Sequence, residues 1–298
     1  MLEAVERKIE QYIADLGDPD ARMLYARLPH GKRLRARLIL AIAGTSLPAI
    51  KTAAIVEMIH AASLLHDDVL DEAYVRRGRP SINAAFDNKT AIMFGDVLYS
   101  KGFLELNDIS REVAQVISEA VVRLSLGERN DILLAERFTT DRDAYLNMID
   151  QKTAALIQAS AEAAALLAGK NRHIYRTYGR NLGLAFQMID DLLDITEDAV
   201  TLGKPAMHDF AEGKTTLPYI YLYEALNDAG RARLVALHGR PLRPEDEQWI
   251  RTEMEKHHAI DRSRNEARRL ITEAVELMER AGETSLEAIA RSMIERSF

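Results

Sequence analysis

Residues 51–71 are apolar almost all the way round a helix. Ala53, Ala54, Ile55, Val56, Met58, Ile59, Ala61, Ala62, Leu64, Leu65, Val69 and Leu70 leave little polar face to turn to water. Such a helix has to be buried on most sides, and something must pack around it. Period-2 strand patterns are missing and helical periodicity dominates, so the packing partners are expected to be helices. Further helices are expected at about 2–16, from Lys32 onward, at 90–106, 110–136, 141–168, 171–195 and 215–227, with two or three more over 244–298. Only 15 Gly and 8 Pro interrupt 298 residues, which agrees with long helices and few turns. No linker or low-complexity tract divides the chain, so one all-α domain spanning 1–298 is expected.

Composition removes several classes of function. With 39 Lys+Arg against 46 Asp+Glu the net charge is −7, and no nucleic-acid partner is expected. Cys is absent, which excludes thiolate metal sites and Cys nucleophiles and fits a reducing, cytoplasmic setting. The start, Met1 to Lys8, is charged and carries no apolar signal core. No unbroken run of about 18 apolar residues occurs, so no membrane span is expected.

The apolar helix ends on Asp67-Asp68-Val69-Leu70-Asp71, and the pattern returns as Asp190-Asp191-Leu192-Leu193-Asp194. At i and i+4, Asp67 and Asp71 share a face, as do Asp190 and Asp194. Like charges so spaced cost roughly 0.2–0.5 kcal/mol per pair. Burial of unpaired carboxylates costs far more, so a cation must compensate. One such triplet reads equally well as a solvated helix end. Two, each after an apolar run, point to Mg²⁺, which binds through a few carboxylates plus substrate phosphates.

Cations that would meet such phosphates are present. Gly31-Lys32-Arg33-Leu34-Arg35-Ala36-Arg37 is expected to put Lys32 and Arg35 on one helical face at i, i+3. Arg76-Arg77-Gly78-Arg79 follows the first triplet; Lys152 precedes the second, and Lys204 and Lys214 follow it. Any one of these reads as a solvated charge; together they suit two diphosphate pockets. His60 is either a satisfied core histidine or part of a pocket. His66-Asp67 also resembles the metal dyad of HD-type phosphohydrolases, a rival reading, while His257-His258 reads as surface.

The segments Gly31 to Arg35, Glu57 to His60, Leu65 to Asp71, Arg76-Arg77-Gly78, Gly95-Asp96, Lys152-Thr153, Phe186 to Asp194, Leu202-Gly203-Lys204 and Glu212 to Pro218 together resemble the trans-type isoprenyl (polyprenyl) diphosphate synthases, most of all bacterial octaprenyl synthases. They run in family order from about 31 to 220; His30 and Ala36 stand where relatives often have Gly and Pro. The resemblance implies a single-domain helical bundle around a deep cavity, active as a homodimer. It implies Mg²⁺, about three ions per site, held by Asp67 and Asp71 on one wall and by Asp190 and Asp194 on the facing one. Asp68 and Asp191 would support them. Arg76, Lys152, Thr153, Gln187, Lys204 and Lys214 would hold the allylic diphosphate, and Lys32, Arg35, His60 and Arg77 isopentenyl diphosphate. Lys152 and Lys204, with the aspartates, would carry catalysis.

The resemblance also places the growing chain beside the first acidic helix, with Ala62 and Ser63, one turn upstream of Asp67, as its floor. Both are small, and the first motif lacks the two-residue insertion common in bacterial short-chain relatives. A product of about seven to nine isoprene units, centred on octaprenyl and grown from farnesyl diphosphate, is therefore expected. Ala62→Tyr is expected to shorten it. Against this stands a floor set by another side chain, with Ala62 and Ser63 merely close-packing. The alternatives are a geranylgeranyl synthase, the catalytic half of a heteromer, or a class I terpene cyclase. Product release leaves room for a peripheral membrane contact.

Overall fold

The computed structural model describes residues 1–29, 31–197 and 206–294. Among them the regular structure is almost wholly helical, as expected. The chain divides into two compact units, one of 1–121 with 159–176 and the other of 122–158 with 177–298.

The first unit is built on α4 (Leu47–Leu70). Against it pack α1 (Leu2–Ala14), α3 (Leu34–Ala43), α5 (Ile82–Ala85) and α6 (Asn88–Leu106), while α2 (Pro19–Arg27) packs on α1. α4 starts where Ser46 Oγ accepts the Ala49 N–H and a proline follows at the first turn, a combination that favours helix initiation. Its apolar side chains are buried on most sides. By length and mean hydropathy α4 would pass for a membrane span, but 61% of that stretch is buried inside the molecule, and it is a core helix. α1 lays Val5, Ile9 and Ile13 against it. Buried Glu57 accepts the Ala36 N–H at 3.0 Å, so a carboxylate on α4 satisfies an orphan donor in the first turn of α3.

Between α4 and α5 a short antiparallel pair, β1 (Val75–Arg76) and β2 (Arg79–Pro80), departs from the strand-free expectation. Its turn residues Arg77 and Gly78 both have positive φ, 52° and 73°, the signature of a two-residue primed turn.

α7 (Arg111–Ala135) spans the boundary between the units, and α8 (Arg142–Ile149) leads into a π-helical turn, Asp150–Ala154, before α9 (Ala155–Leu167). α10 (Arg172–Thr196) carries the second aspartate triplet. Then come α11 (His208–Ala211), α12 (Leu217–Ala225), α13 (Asp228–Leu237), α14 (Pro244–Lys256), α15 (Ala259–Ala281) and α16 (Thr284–Ile294). In the second unit α15 turns Ala267, Leu270, Ile271, Ala274, Val275 and Met278 inward at helical spacing. The Tyr178 hydroxyl donates to the Leu286 carbonyl at 2.7 Å, tying α10 to the start of α16.

Candidate active site

The first triplet sits at the C-terminal end of α4. Asp71 is the capping residue and donates its N–H to the Asp67 carbonyl at 2.8 Å, so the two still share a face. Asp67 is half-buried, Asp71 exposed, and Asp68 only 4% exposed. Each carboxylate at a helix C-terminus opposes the helix dipole by about 0.3–1 kcal/mol. Arg76 answers one of them, its Nε donating to Asp68 Oδ1 at 2.6 Å. Burial raises the Asp68 pKa and Arg76 pulls it back. The loop that brings Arg76 there is bolted down by Asn83, whose Nδ2 donates to the carbonyls of Asp68 and Ala73.

In the same unit Arg33, Arg35, Arg76 and Arg77 lie close enough to His60 to disfavour its protonation; burial first and these charges second hold its pKa well down. Arg33 is not a ligand group. It is committed to Glu6 through two contacts of 2.6 and 2.9 Å and approaches Glu57 at 3.4 Å. Arg35 is different: its Nε is buried without a hydrogen-bond partner, and burial lowers its pKa. Arg77 approaches the Pro29 carbonyl at 3.4 Å and lies over Gly31, where an added Cβ would stand 2.6 Å from the guanidinium. Mutually repelling guanidinium groups and an orphan donor make a cradle that an anion would satisfy. One expectation is corrected. α3 begins at Leu34 with Arg33 in the left-handed region (φ 52°), so Lys32 precedes the helix and shares no helical face with Arg35. Lys32 is exposed.

His66 turns toward α6, its Nε2 3.1 Å from the Ile92 carbonyl and 3.5 Å from Asp96. It is engaged there rather than beside Asp67 as an HD-type dyad would need. His258 is exposed and His257 pairs with Glu253, a surface arrangement. Of the floor candidates, Ser63 lies one turn before Asp67 on its face, while Ala62 lies one turn before His66, toward α6. Both are buried.

In the second unit the triplet again ends a helix, α10. Asp190 is exposed, whereas Asp191 and Asp194 are buried. Asp191 meets neutral donors rather than the cation expected: the Tyr145 hydroxyl donates to Oδ2 at 2.6 Å and Gln187 Nε2 to Oδ1 at 2.9 Å. Burial pushes its carboxyl up to about 8, with Asp209 adding to the shift. A divalent cation alongside would draw it back down. Asp194 Oδ2 accepts the Asp209 N–H at 3.2 Å. The chain of donors continues outward, Thr153 Oγ1 donating to Gln187 Oε1 at 2.6 Å.

Lys152 and Thr153 sit inside the π-helical turn, which replaces the uninterrupted helix expected over 141–168. π-turns widen the backbone and recur at functional sites. This one fits because both flanking helices have glycine there. A Cβ on Gly127 would stand 2.2 Å from the Lys152 nitrogen, and one on Gly183 2.4 Å from the Ala154 Cα. Lys152 Nζ meets Asp131 at 2.6 Å and Glu128 at 2.8 Å. Burial alone would lower its pKa, but the two acids outweigh it and keep the ammonium charged. Lys214 pairs with Glu212 at 3.0 Å. Lys204 and His30 lie outside the described residues.

The donor sets suit Mg²⁺. They are hard carboxylate oxygens at two negative helix ends, with Asp67, Asp71 and Asp190 reachable from solvent. Among the described residues no three acidic or imidazole groups converge into a closed cage. A cation there would complete its shell with waters and phosphate oxygens, which is how Mg²⁺ is usually held. The sequence reading quoted Glu57 within a motif without giving it a role, and missed Tyr145, Glu128 and Asp131. Only the last two carried a signal, acids at i, i+3 ahead of a lysine.

The profile of the polyprenyl synthetase family matches residues 20–256. An octaprenyl pyrophosphate synthase structure from Helicobacter pylori superposes with a TM-score of 0.94 at 40% identity, over 100% of this chain and 98% of that one. Heptaprenyl diphosphate synthase component 2 of Geobacillus stearothermophilus is 34% identical over 93% of this chain and 87% of its own. A short chain isoprenyl diphosphate synthase of Methanothermobacter thermautotrophicus is 37% identical over 70% and 68%.

Proposed function

The chain belongs to the polyprenyl synthetase family and is a trans-prenyl diphosphate synthase, and from that premise we propose that it adds isopentenyl diphosphate repeatedly to farnesyl diphosphate to make an all-trans product of about eight isoprene units. The observation that carries the length is on α4: the side chains one turn ahead of Asp67 and His66 are Ser63 and Ala62, both small. The likeness to an octaprenyl synthase over the whole chain supports the same reading.

In this reading Asp67, Asp71, Asp190 and Asp194 hold Mg²⁺, with Asp68 and Asp191 keeping their neighbours in place. The metal would neutralise charge on the departing diphosphate. Lys152, Thr153, Gln187, Arg76 and Lys214, together with Lys204, bind and orient that diphosphate. Donors from these residues that reach the oxygens where charge develops would lower the barrier to C–O ionisation. Arg35, His60, Arg77 and Lys32 hold isopentenyl diphosphate. His60 stays neutral in its cationic surroundings, so it can donate one hydrogen bond without adding charge. The double bond of isopentenyl diphosphate attacks the allylic cation, and the released diphosphate takes the proton. No protein base is needed. Apolar walls keep water from the cation.

Two further readings belong here. The whole chain works as one catalytic domain, supported by helices α7, α9 and α10 each containing a boundary between the units. It works as a homodimer, supported by exposed Val122, Leu126 and Leu133 along one face of α7, an apolar stripe of the kind that a second copy covers.

The test is mass analysis of the dephosphorylated products made by the purified chain alone from farnesyl and isopentenyl diphosphates with Mg²⁺. Polyprenols near eight units from the wild type, and shorter ones from Ala62→Tyr, are expected. Geranylgeraniol as the wild-type end point, or an unchanged length in Ala62→Tyr, contradicts the floor. No condensation without a second protein contradicts self-sufficiency.

A further inference from the structure

We infer that Tyr145, outside both aspartate motifs, is the positioning residue of the second one: its phenol fixes the Asp191 carboxyl so that the motif is preformed for its cation. The argument is geometric. Tyr145 is buried in α8, and its hydroxyl reaches Asp191 Oδ2 at 2.6 Å. Gln187 holds the other oxygen at 2.9 Å, so both ends of the carboxyl are taken and its rotation about the Cβ–Cγ bond is stopped. Gln187 is itself oriented, because its Oε1 accepts from Thr153 at 2.6 Å while its Nε2 donates to Asp191. Tyr145 and Thr153 belong to one run of chain, α8 and the π-turn that continues it. Two struts therefore connect that run to α10, one at residue 187 and one a turn later at 191. They set the acid in register with the residues read as diphosphate-binding. The first motif has a matching device in Arg76, which fixes its buried middle aspartate, Asp68, at 2.6 Å.

The inference rests on reading the second motif as a Mg²⁺ and diphosphate site, and the experiment separates the two. Full-length protein is titrated with Mg²⁺ in the presence of inorganic pyrophosphate, and the midpoint of the thermal-stability gain is read beside the half-saturating Mg²⁺ of turnover. Tyr145→Phe keeps the ring and its packing and removes only the donor. Loss of a hydrogen bond to a charged group is expected to raise both midpoints about tenfold, with KM for isopentenyl diphosphate unchanged. Tyr178→Phe removes a comparable buried hydroxyl, bonded to the Leu286 carbonyl at 2.7 Å, and is expected to lower Tm without moving either midpoint. Tyr145→4-aminophenylalanine restores a donor at the same place and is expected to bring the midpoints back. Unshifted midpoints in Tyr145→Phe, or the same shift in Tyr178→Phe, overturn the role of Tyr145. A wild type that gains no stability from Mg²⁺ and pyrophosphate overturns the reading of the motif, and the proposal with it.

Discussion

Lys152, proposed above to bind the allylic diphosphate, is held in place by its neighbours. One ammonium faces two carboxylates, Asp131 and Glu128, at 2.6 and 2.8 Å, so its side chain is ordered before a diphosphate arrives. Lys152→Met leaves two largely buried acids facing each other. With the lysine side chain still 22% exposed, solvent screening trims the cost to about 1–3 kcal/mol. Urea unfolding should show that loss, and Lys152→Met combined with Asp131→Asn should recover part of it. KM for the allylic substrate should stay raised in both variants. Failure of the double variant to recover stability would show that the acids are not there for the lysine. Lys152 was readable in the sequence as a cation ahead of the second triplet. Its two keepers carried only a weak signal, since acids at i, i+3 on an amphipathic helix look like any solvated pair. Tyr145 carried still less signal, because a buried tyrosine in a helix looks like packing.

At the scale of elements, local pattern and tertiary demand part company. α4 is legible over 51–71 because its apolar run and its acidic stop agree, but it begins four residues earlier, at Leu47, where Ser46 caps it. The stretch 141–168 also reads as helix, and it is one, but the π-turn at Asp150–Ala154 is not written there. It is written in Gly127 and Gly183, on other helices, which make room for the wider backbone. The same holds for α3, whose start is set two residues later than charge spacing implies. Arg33 is drawn out of the helix by Glu6, and Glu57 caps the first turn from α4. Gly183→Ala tests the point. The new Cβ meets backbone, which cannot swing aside, so overpacking of about 1–3 kcal/mol is expected. KM for the allylic diphosphate should rise at the same time while KM for isopentenyl diphosphate holds. A loss of stability with both KM values unchanged would separate the π-turn from binding.

Across the whole molecule the same solution occurs twice. An apolar stretch of helix runs into three aspartates, the middle one is buried and tied to a side chain from elsewhere, and the first remains accessible. Around His60 the guanidinium groups divide: Arg33 is matched by Glu6 and Glu57 and Arg76 by Asp68, while the buried Arg35 Nε has no hydrogen-bond partner. The family could be read from motif order alone. The division into two units could not, because its boundaries fall inside helices α7, α9 and α10, where composition does not change. The central claim is that these two helix ends carry the reaction. The most direct measurement is the rate of isopentenyl diphosphate incorporation by Asp67→Asn and Asp190→Asn across a Mg²⁺ titration, with Tm recorded for each. Removing transition-state charge stabilisation should cost at least about 100-fold in kcat. Tm should hold or rise slightly, since each change removes a negative charge from a helix C-terminus. Either variant turning over at the wild-type rate, at any Mg²⁺ concentration, would contradict the account.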